Sequence, residues 1–67
     1  MHYVNSSAIC AVDWIERPVG LLVIFTTSTT VYTYHGVPKS LFLGLLSAAS
    51  KGTYFNAHIR DKYPCSH

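Results

Sequence analysis

Ser50-Lys51-Gly52-Thr53-Tyr54-Phe55-Asn56-Ala57-His58-Ile59-Arg60-Asp61-Lys62-Tyr63 is the stretch from which the rest of the chain can be interpreted. From about Tyr54 its spacing predicts a helix. Phe55, Ile59 and Tyr63 recur at i, i+4 and i+8 and form an apolar stripe. Asn56 and Arg60 are also four apart, but each lies about 100° around the helix from the stripe and points away from it. Thr53 is placed to cap the helix, and Gly52 permits a sharp turn into it. A helix with one oily side needs a sheet or another helix to lie on, and the preceding residues supply both.

Upstream, Ser7 to Trp14 alternates, with Ala8, Cys10, Val12 and Trp14 on one side and Ser7, Ile9, Ala11 and Asp13 on the other, which predicts a strand. Ile15-Glu16-Arg17-Pro18-Val19-Gly20 holds the residues of a turn. Leu21 to Thr26 is apolar on both faces and predicts a central strand. Thr27-Ser28 connects it to a third strand, Thr29 to Tyr34, with Thr30, Tyr32 and Tyr34 on one face. His35-Gly36-Val37 closes that strand, and Pro38 suits the first turn of a helix running from Lys39 to about Ala48. The expected fold class is α+β: a three-stranded antiparallel meander followed by two short helices packed on one face. Residues 1–67 form one domain, with 1–6 a loose leader and 65–67 a tail.

Composition bounds the function. Of the 67 residues, 49% are hydrophobic and 12% charged, an oily balance for a chain that buries only about 60% of its unfolded surface. Some apolar surface is therefore expected to meet a partner, a second copy first of all. The apolar face of the first helix is wider than one buried side requires, and Phe42 and Leu43 are the residues left over for such an interface. The longest oily run, Val19 to Phe25, is strand length and far short of the ~20 residues of a membrane span. Two cysteines, Cys10 and Cys65, make no disulfide framework. With no export signal in view, a soluble cytoplasmic protein is expected.

Charge is unevenly placed. Residues 1–38 carry Arg17 against Asp13 and Glu16, a net of −1, whereas residues 39–67 carry Lys39, Lys51, Arg60 and Lys62 against Asp61, a net of +3. That polarity steers an anion to the C-terminal half.

Four blocks together resemble the KTSC domain: Ser6-Ser7-Ala8-Ile9 with Val12-Asp13-Trp14; Leu21, Val23 and Phe25; Val31-Tyr32-Thr33-Tyr34-His35-Gly36-Val37-Pro38; and Ser50 through Pro64. The resemblance spans about Val4 to Pro64, and its last block is the most specific. This module is named for its place at the C-terminus of some lysyl-tRNA synthetases and also occurs as a stand-alone protein in bacteria and phages. It implies a small α+β module and, from the synthetase setting, RNA binding. Trp14 stands where tyrosine is more usual, and Thr27-Ser28 lacks the customary glycine, so both differences fall on hairpin connections.

Candidate ligand-binding residues are Lys51, Asn56, Arg60 and Lys62 for an anion, with Tyr34 and Tyr54 to stack on a base and His58 at the helix edge. About four cations on phosphates give a slope of log K against log salt of about −3 to −4. The bland alternative is that Arg60 and Asn56 bond to the protein's own main chain and only dock the helix. Cys65, His67, His2 and Cys10 match no zinc spacing, and no metal or cofactor is expected. The acids Asp13, Glu16 and Asp61 form no catalytic pair, so an enzyme is not expected. RNA or another phosphate-bearing ligand is the first choice. A protein-interaction module, such as a phage or bacterial adaptor or inhibitor, and an oligomer sequestering a nucleotide are the alternatives.

Overall fold

Leu21, fully buried on the strand Val19–Phe25, lies at the centre of the molecule. The computed structural model describes all 67 residues. In chain order the elements are β1 (His2–Tyr3), β2 (Ile9–Glu16), β3 (Val19–Phe25), β4 (Val31–His35), α1 (Lys39–Ser47), α2 (Lys51–His58) and β5 (Cys65–Ser66). The strands form one antiparallel sheet in the order β1-β2-β3-β4-β5. Both helices cover a single face. The α+β class and the antiparallel meander stand, but the sheet has five strands rather than three.

The two added strands come from the presumed leader and tail. His2 pairs with Val12 and Tyr3 with Ala11, while Ser66 pairs with Thr33 and Cys65 with Tyr34. A two-residue strand is too short to show alternation, so the pairing is a tertiary event that leaves no local pattern.

The β2 alternation also needed correction. Ile9 pairs with Phe25, yet Ala11 pairs with Ile24, so β2 spends one residue more than β3 at Cys10. Such a bulge flips the side chains beyond it to the other face. Ile9 consequently joins Val12 and Trp14 on the helix side instead of opposing them, and it is 1% exposed. The β2–β3 turn shrinks to Arg17-Pro18, a cis peptide, because pairing continues through Glu16 and Val19. The next loop runs to Thr30 before β4 begins at Val31. Hydroxyls hold that loop in place of a glycine turn: Thr30 N–H donates to Ser28 Oγ (3.0 Å), and Thr26 Oγ1 donates to the Ser7 carbonyl (2.8 Å). Gly36, at φ 83°, makes the left-handed turn from β4 toward α1.

The core joins Val12, Leu21, Val23 and Tyr34 of the sheet to Phe42 and Leu45 of α1, Phe55 of α2, and Val37 and Ile59 of the connections. Trp14 reaches across the layer, its Nε1 donating to the Val37 carbonyl at 2.8 Å. Phe42 was expected at an interface. It is instead 6% exposed, with the His2 ring 5.6 Å away, and only Leu43 of that pair faces water. The β1 strand, invisible in the sequence, supplies the cover. No helix is long and apolar enough to cross a membrane.

The helix boundaries follow from their caps. Pro38 caps α1 with no side-chain bond. Ser50, not Thr53, caps α2: Thr53 N–H donates to Ser50 Oγ at 3.4 Å, so the helix starts three residues earlier than expected and holds Gly52 inside its first turn. It also ends early. The amides of Ile59 and Arg60 both donate to the Phe55 carbonyl at 2.9 Å, and Asp61 adopts a left-handed φ of 63°. Tyr63 is therefore outside the helix, although it still packs on the core.

The Tyr54 side chain of α2 lies against the α1 backbone at Gly44, where an added Cβ would stand 2.8 Å from Tyr54 Cζ. Alanine normally stabilises a helix interior by about 1 kcal/mol over glycine. Here the clash should dominate, so Gly44→Ala is expected to destabilise the chain by about 1–3 kcal/mol in chemical denaturation.

Candidate functional site

Two buried side chains position the site. Phe55, 3% exposed, inserts between sheet aromatics, its ring 5.4 Å from Phe25 and 5.1 Å from Tyr34, both edge-on. Ile59, fully buried, anchors the end of α2. With residue 55 turned inward, Asn56 falls on the helix rim, and Arg60 is the first side chain beyond the second anchor. Both are exposed. Neither side chain has a hydrogen bond within the protein, and the single ion pair of the chain lies elsewhere, between the Met1 amino group and Asp13. The inward docking role is thus absent for both.

These two groups border a cleft of about 490 Å³ between α2 and the end of the sheet. Its aromatic lining comes from Phe25, Tyr32, Tyr34 and Phe55. Facing α2, the opposite wall is formed by Ser7, Ala8 and Ile9 of the β2 approach together with Thr26 and Thr27. No carboxylate lines it. Arg60 is its one permanent charge, so the site suits a planar group carrying an anion.

Tyr34, 9% exposed, lines the inner part of the cleft. Burial, followed by the neighbouring Cys65 thiol, pushes its hydroxyl up to about 12 from an ordinary 10.0, against the smaller opposing pull of Arg60.

A second, polar trough of about 380 Å³ adjoins the first. Asn5, Ser6, Ser50, Lys51 and Thr53 line it, and it shares Ser7, Gly52 and Asn56 with the cleft. Lys51 is partly engaged, since its Nζ donates to the Ala48 carbonyl at 2.9 Å and closes the end of α1.

The expected residues therefore divide. Asn56, Arg60 and Tyr34 converge on the cleft, and Lys51 sits in the trough. Tyr54 and His58 line neither, their rings packed on each other 4.5 Å apart, and Lys62 is exposed away from both linings. Ser7, Thr26 and Phe25 were not anticipated as site residues. They belong to loops and strand ends that meet only after the sheet forms. Tyr32 had a signal, being on the same strand face as Tyr34. No three His, Cys, Asp or Glu side chains gather to hold a metal.

The fold is a small α+β domain, an antiparallel meander with a helix-walled cleft at one end, and comparison with known proteins gives its family. The KTSC domain family matches residues 5–63, and the chain belongs to that family. A crystal structure of a KTSC domain protein from Yersinia pestis is similar over 97% of this chain and 90% of that one, with a TM-score of 0.89 and 31% sequence identity. No curated protein matches the chain.

Because Tyr34 keeps its proton longer in the folded chain, its share of stability is fully present below pH 10 and is lost as pH rises toward about 12. Spectrophotometric titration should show one of the five tyrosines ionising late. Tyr34→Phe should remove that late step and flatten the alkaline loss of stability.

Proposed function

We propose that the chain is a non-enzymatic binding module that takes a phosphate-bearing ligand with a planar base, as RNA presents, in the cleft beside α2. One observation carries this reading: an exposed guanidinium and an exposed amide, neither with a partner in the protein, border an aromatic cleft free of carboxylates. Arg60 offers a fork of N–H donors to phosphate oxygens, Asn56 offers both a donor and an acceptor to a base edge, and the aromatic lining provides a surface for the base. The ligand set proposed is narrower than the basic patch expected from composition. Lys51 is drawn to Ala48, and Lys62, Tyr54 and His58 are left out.

The test is titration with the four ribonucleoside 5′-monophosphates. With one cation meeting one phosphate, affinity should weaken steadily as salt screens the pair, by much less than the slope of about 3 to 4 that a broad patch would give on an RNA strand. Arg60→Ala should weaken binding by about 1.5–3 kcal/mol, roughly ten- to a hundredfold. A flat salt profile, or an Arg60→Ala variant that binds as well as the parent, would remove the reading.

The apolar surplus favours a second interaction, with another copy of this chain. Ile15, Leu22, Ile24 and Val31 share the sheet face that no helix covers, and the one carboxylate that the register places there, Asp13, is paired with the Met1 amino group at 3.4 Å. With that carboxylate neutralised by its own chain, two such faces meet with little charge repulsion, so sedimentation should show a dimer at high concentration that Ile24→Lys converts to monomer. A monomer at every concentration would exclude it.

A further inference from the structure

Among the residues that line the aromatic cleft, Ile9, Tyr34 and Phe55 are buried, and of these only Tyr34 carries a polar group. Its hydroxyl makes no hydrogen bond to a nitrogen or oxygen of the protein. No fully buried side-chain nitrogen or oxygen in the chain lacks a partner, so this hydroxyl is not sealed in and its proton is open to an entering group. Its neighbours offer little to accept that proton. Cys65, its partner in the β4–β5 register, lies on the same side of the sheet and brings a thiol, a weak partner in either direction. Arg60 lines the same cleft and has N–H groups only, with nothing to accept a hydrogen bond. Its backbone amide donates to the Phe55 carbonyl at 2.9 Å, which ties it to the residue whose ring meets Tyr34 at 5.1 Å. With no carboxylate in the lining, this corner of the cleft is a set of donors without a charged acceptor.

From this juxtaposition we infer that Tyr34 and Arg60 together hold the ligand's phosphate, and hold it as the terminal phosphate monoester of a nucleotide rather than as a phosphate inside a strand. The inference rests on the cleft reading above and deepens it. A phosphate inside a strand spends two oxygens on ester links and has chain leaving it on both sides. A terminal one has a single link and three free oxygens, and with a second pKa of about 6 it carries close to two negative charges at neutral pH. A donor set on a nine-tenths buried ring suits the end of a ligand, since nothing has to continue beyond it. Two donors, one of them a cation, also match several free oxygens better than the two that a diester keeps. Burial holds the Tyr34 proton in place up to about 12, so the hydroxyl remains a donor throughout the range in which such a phosphate is doubly charged. The base is then left to Phe25 and Tyr32, with Asn56 at its edge.

The test titrates the full chain, at about pH 8 so that the monoester is fully ionised, with ribonucleoside 5′-monophosphates, their methyl phosphate esters and the parent nucleosides. The monophosphate should bind about tenfold more tightly than its methyl ester, the size of one charge-assisted hydrogen bond. Tyr34→Phe, which keeps the ring, should cut that ratio severalfold and leave nucleoside binding unchanged. Melting curves establish that the variant is folded, and the comparison of probes on the parent chain stands without it. A 5′-phosphorylated ribo-trinucleotide separates two sources of the same chemistry: binding as tight as the monophosphate's identifies an RNA end, and much weaker binding identifies a free mononucleotide. Equal affinity for monophosphate and methyl ester in the parent chain would overturn the terminal-phosphate assignment while leaving the cleft reading intact. So would a ratio that survives undiminished in Tyr34→Phe, or a loss in that variant that is the same for monophosphate and nucleoside. Binding of none of the probes would remove the cleft reading and this inference together.

Discussion

Phe55 holds the molecule's two layers in register. Its ring meets Phe25 and Tyr34 edge-on at 5.4 and 5.1 Å, and full burial of such a side chain is worth about 1.5–3 kcal/mol. The larger consequence is directional. With that position turned into the sheet and Ile59 seated four residues later, α2 has no freedom to rotate, and the side chains one step beyond each anchor are left at the rim. Asn56 and Arg60 are therefore placed by their neighbours rather than by bonds of their own. Having no intramolecular partner, they keep their full hydrogen-bonding capacity for something outside.

The same layering explains the oily composition. Two helices of nine and eight residues cover one side of five strands, so β3 is apolar on both faces while only its helix side is sealed. Leu21 and Val23 are fully buried, but Leu22 and Ile24 on the other side are only partly so. Electrostatics is correspondingly sparse. The charge surplus of the C-terminal half is real, yet it is scattered: Lys39 lies over the Trp14 ring at 5.8 Å, Lys51 closes a helix end, and Arg60 alone faces the aromatic cleft. The C-terminal half therefore presents no continuous basic patch, and a broad patch is what attracts anions with little selectivity.

Much of this was legible beforehand. The i, i+4 spacing of Phe55 and Ile59 announced both the buried side of α2 and the outward set of Asn56 and Arg60, and the β-branched, apolar Leu21–Phe25 run announced the central strand. The family followed from contiguous blocks of residues and needed no structure. What stayed hidden was non-local. His2–Tyr3 and Cys65–Ser66 become strands only because β2 and β4 offer them free edges. Phe42 looked surplus on its helix because the His2 ring that covers it arrives from the far end of the chain. The capping of α2 was misjudged through local ambiguity, since Ser50 and Thr53 are both good caps and the choice depends on where α1 stops. Ser7 and Thr26 join the cleft through a hydrogen bond between residues 19 apart, which no window along the chain can reveal.

The doubled step at Cys10 has an architectural consequence. By absorbing one residue, it uncouples the facing of Ser7, Ala8 and Ile9 from that of the long hairpin beyond. The mouth of the molecule and its load-carrying hairpin are thereby independent modules. Side chains around the opening can be exchanged without turning Val12 or Trp14 out of the interior, so the scaffold is open to diversification at that end.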